Sequence, residues 1–138
     1  MDRRRFLAQS SKLALMCAAL PSCGLLSAKH WLVCASKDKQ GDYFVAAIDL
    51  NGNLINKIKI PERGHDAIGL PHKPGHALVF GRRPERFALE VDFLSGKVVK
   101  HINSQVDTHF FGHGVLSTDG SALYTAENLY DRKKGVIV

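Results

Sequence analysis

Cysteine is scarce in this chain, and the scarcity excludes several ways of building a small protein. Cys17, Cys23 and Cys34 are the three that its 138 residues contain. Two of them fall near the N-terminus, so no internal disulfide framework holds the remainder. Cys34, set in an apolar strand pattern, reads as a small buried hydrophobe. No cysteines have a metal-type spacing, no glycine loop is of the phosphate-cradling kind, and no nucleophile stands in a recognisable arrangement with a base. Long apolar runs are missing too. The alanine-rich stretch Leu13–Leu20 is far shorter than the ~20 residues that a bilayer-spanning helix needs.

What the N-terminus does contain is a basic start. Arg3-Arg4-Arg5-Phe6-Leu7 has the form of a twin-arginine export signal: two arginines, a free position, then phenylalanine and leucine. Lys12, the apolar stretch and the small residues of Ser22–Ala28 continue the layout. A buried helix fits poorly, because Pro21 breaks it and the arginines sit at the wrong end for the macrodipole. The reading is a signal peptide over 1–28, then a β-rich part over 29–138 delivered to the periplasm by the twin-arginine export machinery. Leu20-Pro21-Ser22-Cys23 resembles a lipobox, which leaves two cleavage positions open. Cleavage before Cys23 lipidates that cysteine and anchors the protein; cleavage after Ala28 leaves no membrane contact. Without residues 1–28 the chain has fifteen Lys and Arg against twelve Asp and Glu, a net of +3 where the full sequence carries +6. The alkaline balance is partly the signal's own, so nucleic acid is not an expected partner.

The rest reads as short β-strands punctuated by turns. Strands are expected near 31–36, 43–49 and 54–60, then again near 77–82, 86–92 and 97–102, with a third round reaching 122–127. Asn51-Gly52 and Ser95-Gly96 mark tight hairpins, the first with the signature of a type I′ turn. The offsets cluster: Leu32 to Leu78 is forty-six, Gly52 to Gly96 forty-four, and Gly75 to Gly120 and Ala77 to Ala122 forty-five. Four strands per ~40–50 residues is the period of a β-propeller blade. Strands 31–36 and 43–49 are apolar on both faces, as inner strands between blades would be, whereas 54–60 alternates like an outer one. The expected class is therefore all-β, a partial β-propeller of two to three four-stranded antiparallel blades; a small β-sandwich is the alternative. Propellers normally close with four to eight blades, so the chain reads as the front of a longer protein.

Two constellations carry candidate chemistry. His65 after Gly64 and His113 after Gly112, forty-eight apart, stand at the start of the innermost strand in successive repeats. Such histidines could converge on a transition metal at a propeller hub, since imidazole suits copper, iron or zinc. Alternatively each is a structural peg hydrogen-bonded within its own blade. Arg82-Arg83 occupy a loop whose counterpart forty-five residues on is Glu127-Asn128. An arginine fork there could hold a ligand carboxylate, with Glu127 and Asn128 sharing the site, or pair with Glu127 as an inter-blade clamp. His72 and His76, flanking Pro74-Gly75, read as solvated.

The ordered blocks Arg63-Gly-His-Asp66, Ala77-Leu-Val-Phe-Gly-Arg-Arg-Pro84, His109-Phe-Phe-Gly-His-Gly114, Ser117-Thr-Asp-Gly120 and Thr125-Ala-Glu-Asn128 resemble an exported family catalogued as a domain of unknown function, number 1513. The resemblance covers about the first third of a member; Ala126 and Leu129 interrupt the family's Thr-Glu-Asn-Asp run. It implies an exported seven-bladed propeller whose genes neighbour imelysin-type iron-uptake proteins, and so an association with iron uptake. The first functional expectation is a non-catalytic periplasmic binding or scaffold module. The others are a metal-dependent redox enzyme with hub histidines and, by fold analogy, a lactonase-like hydrolase.

Export has a direct test. Replacing Arg3 and Arg4 together by lysine is expected to trap the precursor in the cytoplasm, as read by cell fractionation; normal periplasmic yield would overturn the twin-arginine reading. Cys23→Ala is expected to release the protein from membranes if the lipobox is used, and to change nothing if cleavage follows Ala28.

Overall fold

Alternating β-branched and aromatic residues between glycine-bearing turns set the architecture throughout. The computed structural model describes residues 30–130 and 134–138. Arg3, Arg4, Phe6 and Leu7, expected to form an export signal, and Cys23, the candidate lipidation site, lie outside the described residues. The described residues form strands and no helix. These are β1 (Trp31–Lys37), β2 (Tyr43–Asp49), β3 (Leu54–Ile60), β4 (Gly64–Gly69), β5 (His76–Gly81), β6 (Phe87–Asp92), β7 (Lys97–Asn103), β8 (Thr108–Leu116), β9 (Leu123–Leu129) and β10 (Lys134–Ile137). They make three consecutive antiparallel meanders, β1-β2-β3, β4-β5-β6-β7 and β8-β9-β10. The expected all-β class holds, with sheets of three or four strands consistent with blades of a partial propeller. The seven expected strands are present within one or two residues; β4, β8 and β10 complete the count.

The second sheet is buried on both sides. Side chains alternate across a strand, so Ala77 and Val79 of β5 join Leu89 and Val91 of β6 in one core with Val45, Ala47, Ile58 and Ile60 of the first sheet. Leu78, Phe80 and Ala88 point the other way, into a second core with Phe110 of β8, flanked by Leu116 and Leu123. Phe80 and Phe110 meet edge to face at 6.3 Å. The third sheet can approach this closely because Gly114 has no Cβ: one placed there would lie 2.5 Å from the Phe80 ring.

Two expectations from the sequence change. Only Gly52 of the Asn51-Gly52 pair has positive φ, +85°, so the hairpin is not type I′, which needs positive φ at both central residues. Its loop is instead organised by Asp49, whose Oδ1 accepts from the backbone N–H groups of Asn51 and Asn53 at 2.9 and 2.8 Å. Asp92 does the same for the N–H of Leu94 at 2.8 Å. Second, β1 is the outermost member of its sheet's order and largely exposed, Cys34 included. Its apolar run lacks the polar alternation usual for a strand covered on one face, yet Leu32 and Cys34 face solvent. Only Trp31 and Val33 pack on the first core.

Phe80→Ala removes a fully buried ring that bridges two sheets. It is expected to cost about 3–5 kcal/mol, read as a fall in the urea midpoint of the full chain. A loss below ~1 kcal/mol would show that the second and third sheets are not packed as described.

Candidate functional site

The histidines meet at bulges of β4 and β8. His65 is beside the start of its strand, but His113 is the sixth of nine residues of β8, not at the strand's start as expected. The β4–β5 ladder shifts register between Gly64 and Asp66, and the β8–β9 ladder between Phe110 and Gly114, which places His65 and His113 within the two irregularities. Bulges re-aim side chains in this way. The rings lie 5.0 Å apart, inclined at 67°. His113 Nδ1 is 3.1 Å from Asp66 Oδ2, a hydrogen bond between sheets. Gly112, at φ +98°, allows the approach, because a Cβ there would collide with the His65 ring.

The match between repeats is one residue out. Ala67 pairs with Val79 and Gly114 with Thr125, while Ala77 and Leu123 begin the equivalent strands facing the preceding sheet. His113 is thus in step with Asp66, not with His65, which is why these two side chains find each other. His113 is not a peg within its own sheet: its side chain is 59% exposed and bonded to Asp66 of the neighbouring sheet. Two imidazoles do converge, but no group of three or more His, Cys, Asp and Glu among the described residues could hold a metal ion. The His65 pKa is held below its ordinary 6.5, by burial first, then by the charges of Arg82, His113 and Arg63. That surrounding positive potential opposes a cation and attracts an anion.

The arginines build that potential. Gly64 pairs with Gly81, so the residues immediately beyond, Arg63 and Arg82, stand opposite each other at the end of the hairpin. Like charges directly opposite are unfavourable. Arg63, Arg82 and Arg83 together line an open cleft of about 330 Å³, walled on the remaining side by Phe111. Among the described residues none of the three forms an ion pair. Their sequence neighbours Glu62 and Glu85 do not neutralise them; burial, then the charge of Glu62, raises the Glu85 carboxyl above its ordinary range. A second open cleft, lined by Lys37, Tyr43 and His65, shares Arg63.

Glu127 does not meet the arginines. By the same one-residue correction it is in step with Gly81, and Asn128 with Arg82. A one-residue shift moves a side chain to the other face, and Glu127 is accordingly 3% exposed. Its carboxylate accepts from the Thr108 hydroxyl, from Thr125 Oγ1 at 3.1 Å and from the Gln105 N–H at 3.3 Å. The inter-blade clamp is therefore not formed, and Asn128, half-buried opposite His109 in the ladder, does not line the arginine cleft. His76 is likewise not solvated: its Nδ1 lies 3.0 Å from Glu90 Oε1, which also accepts from Lys73 Nζ at 2.9 Å.

Sequence reasoning passed over Arg63, Phe111 and Asp66. The first two share a signal, since each directly precedes a Gly-His pair. It also passed over the burial of His109, which is 1% exposed with neither ring nitrogen hydrogen-bonded. The ring stacks on Phe111 at 6.4 Å and 19°, and packs on Tyr130 at 4.7 Å. Burial, then the charge of Arg83, lowers its pKa below 6.5.

The folded-state pKa values of His65 and His109 are both depressed, so just below pH 6.5 the unfolded chain holds more protons than the folded one. Stability present above pH 6.5 is therefore lost as the pH falls beneath it. Urea midpoints at pH 7.5 and 5.5 are expected to show that loss, and His109→Phe to reduce it. At pH 7.5 this variant should stay within ~1.5 kcal/mol of the parent, because the ring is replaced by one of similar shape without unpaired nitrogens. An undiminished pH dependence in the variant would remove His109 from the account.

No curated protein matches the chain. Residues 58–138 match the family described as "Protein of unknown function (DUF1513)". That span includes both bulged histidines, all three arginines and the whole of the second and third sheets, and the chain belongs to this family.

Proposed function

We propose that this protein is an exported, non-catalytic binding module of the periplasm, whose ligand site is the cleft between the end of the β4–β5 hairpin and the bulge of β8. The observation that carries the reading is the cluster of Arg63, Arg82 and Arg83, without ion-pair partners among the described residues, around one cleft. Guanidinium groups are planar forks suited to carboxylate and phosphate. Three of them on adjoining strand ends, two held opposite each other by the ladder, favour an anionic ligand over a structural role. Twin-arginine export and an association with iron-uptake proteins belong to the same proposal; they are supported by the Arg3-to-Leu7 motif and by what the family resemblance implies. Firm membrane attachment would follow only from lipidation at Cys23.

A metal-dependent redox function is the second reading, favoured by the convergence of His65 and His113. The arginine charges beside His65 weigh against it.

Citrate, a trivalent carboxylate probe, tests the cleft. Ligand at a hundred times its dissociation constant stabilises a protein by about 2.7 kcal/mol, enough to raise the unfolding midpoint by several degrees. The full chain is expected to show such a shift and an Arg82→Gln/Arg83→Gln double variant to lose most of it. Equal shifts in the two proteins would indicate a general salt effect and overturn the anion site.

A further inference from the structure

We infer that the arginine cleft takes a small aromatic carboxylate, its ring laid against Phe111 and its carboxylate held by the guanidinium groups of Arg63 and Arg82. This rests on the reading of the cleft as an anion site and adds the chemical class of the ligand.

The argument starts from Phe111. It sits within the register shift of β8, between two buried neighbours, Phe110 and Gly112, and is itself 46% exposed. An exposed phenylalanine on its own needs no explanation. This one forms the apolar wall of a cleft whose other lining residues are three arginines. Its position is also fixed from beneath. His109, two residues earlier, lies nearly parallel to it at 19° and is clamped in turn against Tyr130. A ring supported in this way is already placed for stacking, so little ordering is required when a ligand arrives. No cation–π contact joins Phe111 to an arginine among the described residues, which leaves the exposed part of the ring available.

The cationic side is equally preset. Glycine at 64 and 81 sits in close packing. A Cβ at Gly64 would lie 3.1 Å from Val79 and 3.2 Å from Ala35, and one at Gly81 would lie 2.9 Å from the Glu85 Cβ. Arg63 and Arg82 are opposed by the ladder itself, since Gly64 pairs with Gly81 at the open end of the hairpin. A carboxylate between them relieves the repulsion of the free state. This gain is available to any anion; the wall of Phe111 is what discriminates between anions. The volume of about 330 Å³ is at the lower end of small-molecule sites, ~300–1,000 Å³, and suits a single ring bearing one or two carboxylates better than a polymer.

Calorimetric titration of the full chain with phthalate, benzoate, succinate and inorganic phosphate separates the possibilities. Phthalate is expected to bind at least ~10-fold more tightly than succinate, which carries the same two carboxylates without a ring; a factor of ten is the scale of one good apolar contact. Phe111→Leu should reduce phthalate binding to the level of succinate and leave succinate unchanged. Arg82→Gln should weaken both by a similar factor. Both side chains are exposed, and unchanged urea midpoints would confirm that the variants fold. If succinate or phosphate binds as tightly as phthalate and Phe111→Leu has no effect, the aromatic class is wrong while the anion site stands. If none of the four binds the parent protein, both the class and the site are overturned.

Discussion

Because successive side chains of a strand face opposite ways, β5 feeds two cores at once, Ala77 and Val79 into one and Leu78 and Phe80 into the other. A slip of one residue would exchange a valine and a phenylalanine between cores already filled to their backbones, and both would fail together. The register of the second sheet is therefore among the most tightly specified features of the described chain. The remaining geometry follows from it. The first sheet seats on one face and the third on the other, and the loops of all three are brought to common ends. At one of those ends the pairing of Gly64 with Gly81 leaves Arg63 and Arg82 opposed.

Carboxylates of the second and third sheets have hydrogen-bond partners close at hand. Glu90, buried in β6, accepts from Lys73 and His76, and Lys73 is the first cause of its lowered pKa. Glu127, buried in β9, is satisfied by two hydroxyls and a backbone N–H. Asp119 is held down to about 2, chiefly by the Ser117 hydroxyl and then by Ser121. These carboxylates are all provided for locally. Unpaired cations are common among the described residues, where of the lysines and arginines only Lys59 and Lys73 form ion pairs; what sets Arg63, Arg82 and Arg83 apart is that all three line one cleft. Such a concentration of one charge focuses the field inside the cleft and favours an anion there.

Much of the fold was legible in the sequence, because β-branched runs and glycine turns act locally. β2, β3 and β7 lie almost where patterning places them, and the alternation of Lys57 and Lys59 with the buried Ile58 and Ile60 appears as expected. The inner strands were harder to see. β4 and β8 are rich in glycine and histidine and carry few apolar residues in alternation, so pattern alone marks only their Gly-His pairs, the first at the start of β4 and the second in the middle of β8. The site was read one residue out of step. Matching glycines suggests an offset of forty-five, but Gly75 and Gly120 sit in turns of different length. The bond from the Leu70 N–H to the His76 carbonyl spans six residues, and that from the Ser117 N–H to the Ala122 carbonyl spans five. That difference is invisible to a comparison of residue types. It decides that Glu127 is buried, that Arg82 and Glu127 do not pair, and that His113 reaches Asp66.

The corrected step also accounts for which apolar residues remain exposed. Tyr124 and Val115, 48% and 61% exposed, are in step with Leu78 and Ile68 of the second sheet. Those two residues lie beneath the third sheet, in the core built around Phe80 and Phe110. The far face of the third sheet thus repeats the face that the second sheet presents to it, with an aromatic and a β-branched residue at the covered positions. In the first sheet the corresponding residues, Val33, Val45 and Ala47, also point toward the sheet that follows. The second sheet consequently has two unlike apolar faces, one packed on the first sheet and one on the third. Three sheets packed in series in this way, consistent with blades of a partial propeller, differ from a sandwich, in which two sheets turn their apolar faces toward each other and their other faces to water.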